Sequence, residues 1–266
     1  MIVRPTLAVL ERELLKLFRQ PGRLLSALVR PLLWLLVIGA GFEALQGEES
    51  GYRVFLVPGV LGLALLFGGV LAAVSTISDR ESGVMRMLVI APLGHYWIVL
   101  AKTLGAALSA IVQALMLLVV LGFLGYLGPQ LSVPLLALGL AGTALTSASL
   151  GMLIASWSRT LDNYATLMNL VIFPAFFLSG SLYPVRKLPD ALQVLASLNP
   201  YTHGVDLLKH AAVGGSATAV ADFGIGADLA VLIAFNTVAL AVASVRFSRD
   251  AAHEPLIRRL ARKPLD

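Results

Sequence analysis

From Thr103 to Ser158 the chain runs 56 residues without one Asp, Glu, Lys or Arg. That stretch holds two bilayer crossings of about 20 residues each, hinged at Tyr126-Leu-Gly-Pro-Gln-Leu-Ser-Val-Pro134. Inside hydrocarbon the backbone must satisfy its own hydrogen bonds, so such crossings are helices. Composition agrees: 13% of the 266 residues are charged and 58% are hydrophobic, whereas ordinary globular domains carry about 25% charge. The expected fold class is an all-α integral membrane protein, with residues 1–266 forming a single membrane domain.

Charge-poor windows place six spans at about Leu24 to Phe42, Val54 to Ile77, Val99 to Leu127, Leu131 to Trp157, Tyr164 to Leu182, and Leu229 to Val245. Residues 1–23 precede this 24–245 bundle, and 246–266 form a basic tail. Arg30 and Pro31 interrupt the first span; Arg30 either snorkels to the headgroups or begins a kinked approach to the membrane. Sixteen Lys and Arg fall on the side of the two termini and four (Arg53, Arg186, Lys187, Lys209) on the other, which places both termini in the cytoplasm of an inner-membrane, multi-pass protein. A cleavable signal peptide is the competing reading of the N-terminus, but its leading segment is too long and too acidic.

That leading segment has helical order. Leu7, Leu10, Leu14, Leu17 and Phe18 line one side, while Glu11, Arg12, Glu13, Lys16, Arg19 and Arg23 take the others; Thr6 can cap it and Gln20-Pro-Gly22 ends it. It reads as an amphipathic helix in the inner interface, or one packed on a cytoplasmic partner. Between spans two and three, Ser78 to Pro92 is dense in charge, with Asp79, Arg80, Glu81 and Arg86, and interleaves Gly83, Met85 and Leu88. Such a segment serves either as a docking element with an adaptable Met and Leu surface or as a plain polar hairpin. On the external side, Tyr183, Pro184, Pro189 and Pro200 break Tyr183 to Ala227 into two helices too short to cross, with Asp206 spaced to pair Lys209 or His210. They either dip in as a re-entrant hairpin or cap the outer face.

Ser75, Thr76, Thr166, Asn169, Phe173 and Phe176 are candidates for a substrate path, although in lipid hydroxyls and amides also join helices to one another. Gly105, Gly139, Gly142 and Gly151 read as close-packing positions. Cysteine is absent and the four histidines are scattered, so no metal cluster is expected at ligand spacing. Basic residues beside the apolar runs suit anionic headgroups rather than nucleic acid. An ion-coupled secondary transporter keeps an ionisable group within the membrane, whereas spans two to six have charge only at their ends. A membrane enzyme requires convergent catalytic groups that no pair of spans supplies, and a non-transporting assembly factor remains a further alternative.

The run Leu178-Ser-Gly-Ser-Leu-Tyr-Pro-Val-Arg-Lys-Leu-Pro-Asp-Ala-Leu-Gln-Val-Leu-Ala-Ser-Leu-Asn-Pro-Tyr-Thr-His-Gly-Val-Asp-Leu-Leu-Lys209 resembles the signature of the type 2 permeases of ATP-binding-cassette exporters, the group containing the daunorubicin-resistance and nodulation-factor permeases. Asp79-Arg-Glu-Ser-Gly-Val-Met-Arg-Met-Leu-Val-Ile-Ala-Pro-Leu93, with Lys102 after it, is similar to that family's coupling segment. Lys209 stands where the family usually has Arg or Gln. The resemblance implies a permease dimer, most simply a homodimer, carrying two ATPase subunits on its cytoplasmic face and moving an amphiphilic or lipid-like substrate outward. No phosphate-binding Gly-x-x-x-x-Gly-Lys-Ser/Thr loop occurs. The chain itself is therefore expected to need no cofactor, with ATP and Mg held by the partner ATPase.

Overall fold

The computed structural model describes residues 3–19, 21–46, 52–82, 95–128, 131–212 and 221–261, and every regular element among them is helical. In chain order these are α1 (Val3–Phe18), α2 (Pro21–Leu33), a π-helical turn (Trp34–Ile38), α3 (Gly39–Gln46), α4 (Tyr52–Glu81), α5 (His95–Phe123), α6 (Val133–Trp157), α7 (Leu161–Phe177), a 3-10 turn (Val185–Lys187), α8 (Asp190–Leu198), α9 (Pro200–Ala212) and α10 (Ile225–Ala261). The π turn follows Pro31, whose missing N–H interrupts the helical ladder. α1 begins at Val3, so Thr6 lies inside the helix rather than capping it.

Five stretches are long and apolar enough to cross a membrane: Leu24–Leu45, Val54–Glu81, Tyr96–Phe123, Val133–Trp157 and Ile225–Phe247. The remaining expected span corresponds to α7, which has only 17 residues, about 25 Å of helix at 1.5 Å per residue. It is shorter than its uncharged window because Pro174 sits near its end and Gly180 turns the chain with a φ of 72°, a conformation open to glycine at little cost.

α4 is the axial helix. It packs most extensively against α5 and α6 and also touches α2, α3, α7 and α9. Small residues make this possible. A Cβ on Gly69 would lie 2.8 Å from the backbone nitrogen of Ala148, and one on Gly151 would lie 2.9 Å from the Cα of Val70. Gly105, Gly139 and Gly142 likewise admit Glu13, Leu208 and Leu232. All four glycines expected to mark close packing do so.

The helices alternate in direction, which defines two ends of the bundle. At one end α1 lies against the start of α5, near the finish of α4 and the start of α7. At the other end α9 is buried almost throughout, and its Ala211 carbonyl accepts the Ser132 amide ahead of α6. α9 opens at Pro200, and the Asn199 side chain braces it, donating to the Ala175 carbonyl and accepting from the Tyr201 amide. α8, preceded by Pro189, turns Leu192, Val194, Leu195 and Leu198 outward. Of the two short helices, α9 is buried against the bundle and α8 leaves its apolar side exposed.

Introducing a methyl group with Gly69→Ala is expected to destabilise the bundle by about 1–3 kcal/mol, because backbone rather than a mobile side chain stands in its way. Gly22→Ala, where nothing lies within 4 Å, is expected to be neutral or slightly stabilising. Thermal unfolding of both variants in one detergent tests this; equal melting temperatures would contradict the backbone-contact account.

Candidate functional site

The finish of α4 places three consecutive side chains, Asp79, Arg80 and Glu81, about 100° apart around one helix, and each reaches a different neighbour. Asp79 accepts from Lys102 Nζ on α5 at 2.5 Å and, from α1, from Arg12 Nη2 at 2.7 Å and Lys16 Nζ at 3.3 Å. Arg80 donates to the Ser158 carbonyl beyond α6 at 2.7 Å and stacks 4.9 Å over Phe247 of α10. Glu81 accepts the Leu161 amide at the start of α7 at 3.1 Å, where a carboxylate also favours the positive end of the helix dipole.

Glu13 completes the cluster. Its carboxylate accepts from Lys102 at 3.4 Å, Lys16 at 3.3 Å and the Ser75 hydroxyl at 2.8 Å. Asp79, Glu13 and Lys102 are only 4%, 7% and 3% exposed. The C-terminal half of α1 thereby grips α4 and α5 through a lattice of two acids and three bases, with Glu13, Asp79 and Lys102 at its buried centre. Glu13 was expected on a polar face, but it lies three residues after Leu10 and four before Leu17, on the apolar stripe itself. Gly105 leaves room for its side chain, since a Cβ there would sit 2.9 Å from Glu13 Cβ. Leu17 is buried as expected, whereas Phe18 and Glu11 face outward. Gly83, Met85, Arg86 and Leu88 lie outside the described residues.

At the opposite end, residues of α9 and of the segments beside it assemble a second ionic group. Asp206 accepts the amides of Asp222 and Phe223 at 2.7 and 2.8 Å, and Lys209 donates to Asp222 at 2.7 Å while remaining 3.8 Å from Asp206. The expected Asp206–Lys209 pair is therefore secondary to Lys209–Asp222. His203 is buried, with Nδ1 2.8 Å from Asp228 and Nε2 2.9 Å from the Ser197 carbonyl. Burial lowers the proton affinity of its imidazole, but these two bonds and the nearby carboxylates outweigh it and leave the pKa raised. Burial also raises the Asp206 carboxyl above its usual range, against the pull of its two amide donors and Lys209. Tyr183 donates to the Phe177 carbonyl, and Pro184 leads into the 3-10 turn.

The candidate path residues divide. Ser75 belongs to the ionic lattice, and Thr76 is buried with no hydrogen-bond partner for its hydroxyl. Thr166 donates to its own helix at the Asp162 carbonyl, and with Asn163, Asn169 and Phe173 it forms an exposed stripe along α7. Phe176 is buried edge-on against Trp34, with centroids 5.2 Å apart. Arg30 lies over the Phe67 ring at 4.0 Å. Phe67 is 12 residues from Asp79 along α4, about 18 Å, so Arg30 does not snorkel to the α1 end. Beside it, Gln113 lines the same narrow cleft, and its Nε2 is buried with no acceptor.

Replacing Lys102 with Met leaves two buried carboxylates with only the half-exposed Arg12 and Lys16, and is expected to cost about 3–5 kcal/mol. The triple variant Glu13→Gln, Asp79→Asn, Lys102→Met removes the three buried charges together, leaving only the half-exposed Arg12 and Lys16, and is expected to lose less. Denaturant unfolding of the single and triple variants tests this; a triple variant less stable than the single would contradict it.

Residues 4–212 match the family model described as ABC-2 type transporter. Nodulation protein J of Rhizobium leguminosarum bv. trifolii is 31% identical over 200 residues, covering 72% of this chain and 74% of that protein. Nodulation protein J of Neorhizobium galegae is 29% identical over 203 residues, covering 73% and 75%. A chain of Cyanophora paradoxa that carries the name transport permease, ycf38, is 27% identical over 215 residues, covering 78% and 73%. The matched region holds α1, the α4 finish with its ionic lattice, and the α8–α9 hairpin, and on that match the chain belongs to the ABC-2 type transporter family.

Proposed function

We propose that this chain is the permease subunit of an ATP-binding-cassette exporter that moves an amphiphilic or lipid-like substrate across the cytoplasmic membrane, driven by a separate ATPase. The observation that carries this reading is the finish of α4. Asp79, Arg80 and Glu81 stand immediately before residues 83–94 and are bonded to α1, α5, α7 and the segment after α6. A push on the segment after α4 is delivered at once to four other parts of the bundle. Rigid, fully paired contacts suit such a lever, because displacing one partner exposes a buried charge.

In this reading α7 is the sixth crossing, extended by the turn through Ser181, and both termini lie in the cytoplasm with the Lys- and Arg-rich side. α1 is the interfacial helix, pinned from above by Glu13. Two ATPase copies dock below, each holding ATP and Mg, and residues Gly83, Met85, Arg86 and Leu88 meet them. A second permease copy covers the exposed α7 stripe of Asn163, Thr166, Asn169 and Phe173. Between the two copies that stripe offers hydroxyls, amides and aromatic surface to an amphiphile. Similarity to Nodulation protein J and to a chain named as a transport permease supports transport as the activity.

With its partner ATPase in liposomes, the wild-type protein is expected to transport only with ATP. Glu81→Lys places a cation at the positive end of α7 and is expected to lower ATP-driven transport about fivefold or more, with membrane level unchanged. Transport by the chain alone under a proton or sodium gradient would instead make it an ion-coupled carrier.

A further inference from the structure

The ionic group at the α9 end leaves one oxygen without a donor. Asp228 is fully buried; its Oδ1 faces His203 Nδ1 at 2.8 Å, but its Oδ2 has no hydrogen-bond partner. Lys209 is committed to Asp222 at 2.7 Å, and Arg186 approaches that same carboxylate. The unpartnered Oδ2 looks toward His210 Nε2 at 3.8 Å. That nitrogen is surrounded by oxygen, with Asp206 Oδ2 also at 3.8 Å and the Phe223 carbonyl at 3.0 Å. One imidazole nitrogen, two carboxylates and a carbonyl thus converge from α9, α10 and the segment joining them. Asp206, His210 and Asp228 offer ligand atoms within 4.8 Å of one another, the one such group among the described residues.

We propose that Asp206, His210 and Asp228 form a binding site for a divalent cation, with zinc as the best match, and with the Phe223 carbonyl as the fourth ligand. Tetrahedral zinc with bonds of about 2.0–2.1 Å holds its ligands roughly 3.3 Å apart. The separations of 3.0, 3.8 and 3.8 Å around His210 straddle that value, and the three side-chain ligand atoms lie within 4.8 Å of one another. His203 supplies the outer support, since its bond to Oδ1 fixes the Asp228 carboxylate and leaves Oδ2 directed at the metal. The two amides donating to Asp206 hold that carboxylate in the same way. His210 is partly exposed and forms the route of access. The cation would tie α10 to α9, and so clasp the last spanning helix to the inserted one.

The test uses the full chain in detergent, with any polyhistidine tag removed and bound metal stripped by chelator. Calorimetric titration with zinc is expected to show one ion per chain and to raise the melting temperature. Asp228→Asn, which keeps the oxygen facing His203 but loses the charge, and His210→Gln are each expected to weaken binding about 10- to 100-fold. Should either variant fail to fold, the cobalt complex of the wild-type chain provides the second readout. Absorption bands of tetrahedral cobalt, with no thiolate band because the chain has no cysteine, support the site. Unchanged affinity in both variants would overturn it, placing the ion elsewhere. So would the absence of a stoichiometric ion at neutral pH.

Discussion

Lipid removes the force that packs helices in water, since a leucine side chain gains little by leaving acyl chains for another leucine. Association must come from close van der Waals contact, and here it comes from α4 and α6 approaching until backbone meets backbone at Gly69 and Gly151. The rest of the bundle is arranged around that pair. α5 closes on α4 through Gly68, where a Cβ would meet Ala110, and α9 inserts beside α6 because Gly204 accepts Thr143 and Gly139 accepts Leu208. Once these contacts are set, the ends of the helices have no freedom to slide, and polar groups can be positioned there to fractions of an ångström.

Both ends of the bundle use that precision in the same way. Each buries carboxylates against a cation from another part of the chain: Glu13 and Asp79 with Lys102 at one end, Asp222, just ahead of α10, with Lys209 of α9 at the other. Burying an ion is costly, and the attraction of its partner offsets that cost only if geometry and remaining hydrogen bonds are good. Such clusters therefore add specificity more than stability. They make the position of α1 depend on α4 and α5, and the position of α10 depend on α9. For a protein whose helices must move as units, this linkage is the useful property: a displacement applied to one partner cannot be absorbed locally without stranding a charge.

Much of the molecule was legible in its residues. The apolar windows located the long helices, the small residues marked close approach, and the prolines at 189 and 200 bounded the two short helices. The misses share one origin. α7 came out shorter than its window because hydropathy does not register Pro174 or the turn at Gly180. Glu13 was assigned to a polar face because charge was read as exposure, although its position between Leu10 and Leu17 put it on the buried stripe. His203 and Asp228 were passed over because 25 residues separate them, and a side chain standing alone in sequence carries no mark of the partner it will meet. Ser75 and Phe176, grouped by polarity and aromaticity, parted because they lie at different ends of the bundle.

What the linear chain determined by itself was its solvent and its class: 56 residues without charge cannot fold in water, and a backbone in hydrocarbon must be helical. Its motifs, being local runs of residues, also carried its kinship. Only the tertiary structure decided which charges become partners, Glu13 with Lys102 across 89 positions and His203 with Asp228 across 25. Pairing depends on the crossing and rotation of whole helices, which are set by many packing contacts at once and are written in no single stretch of sequence.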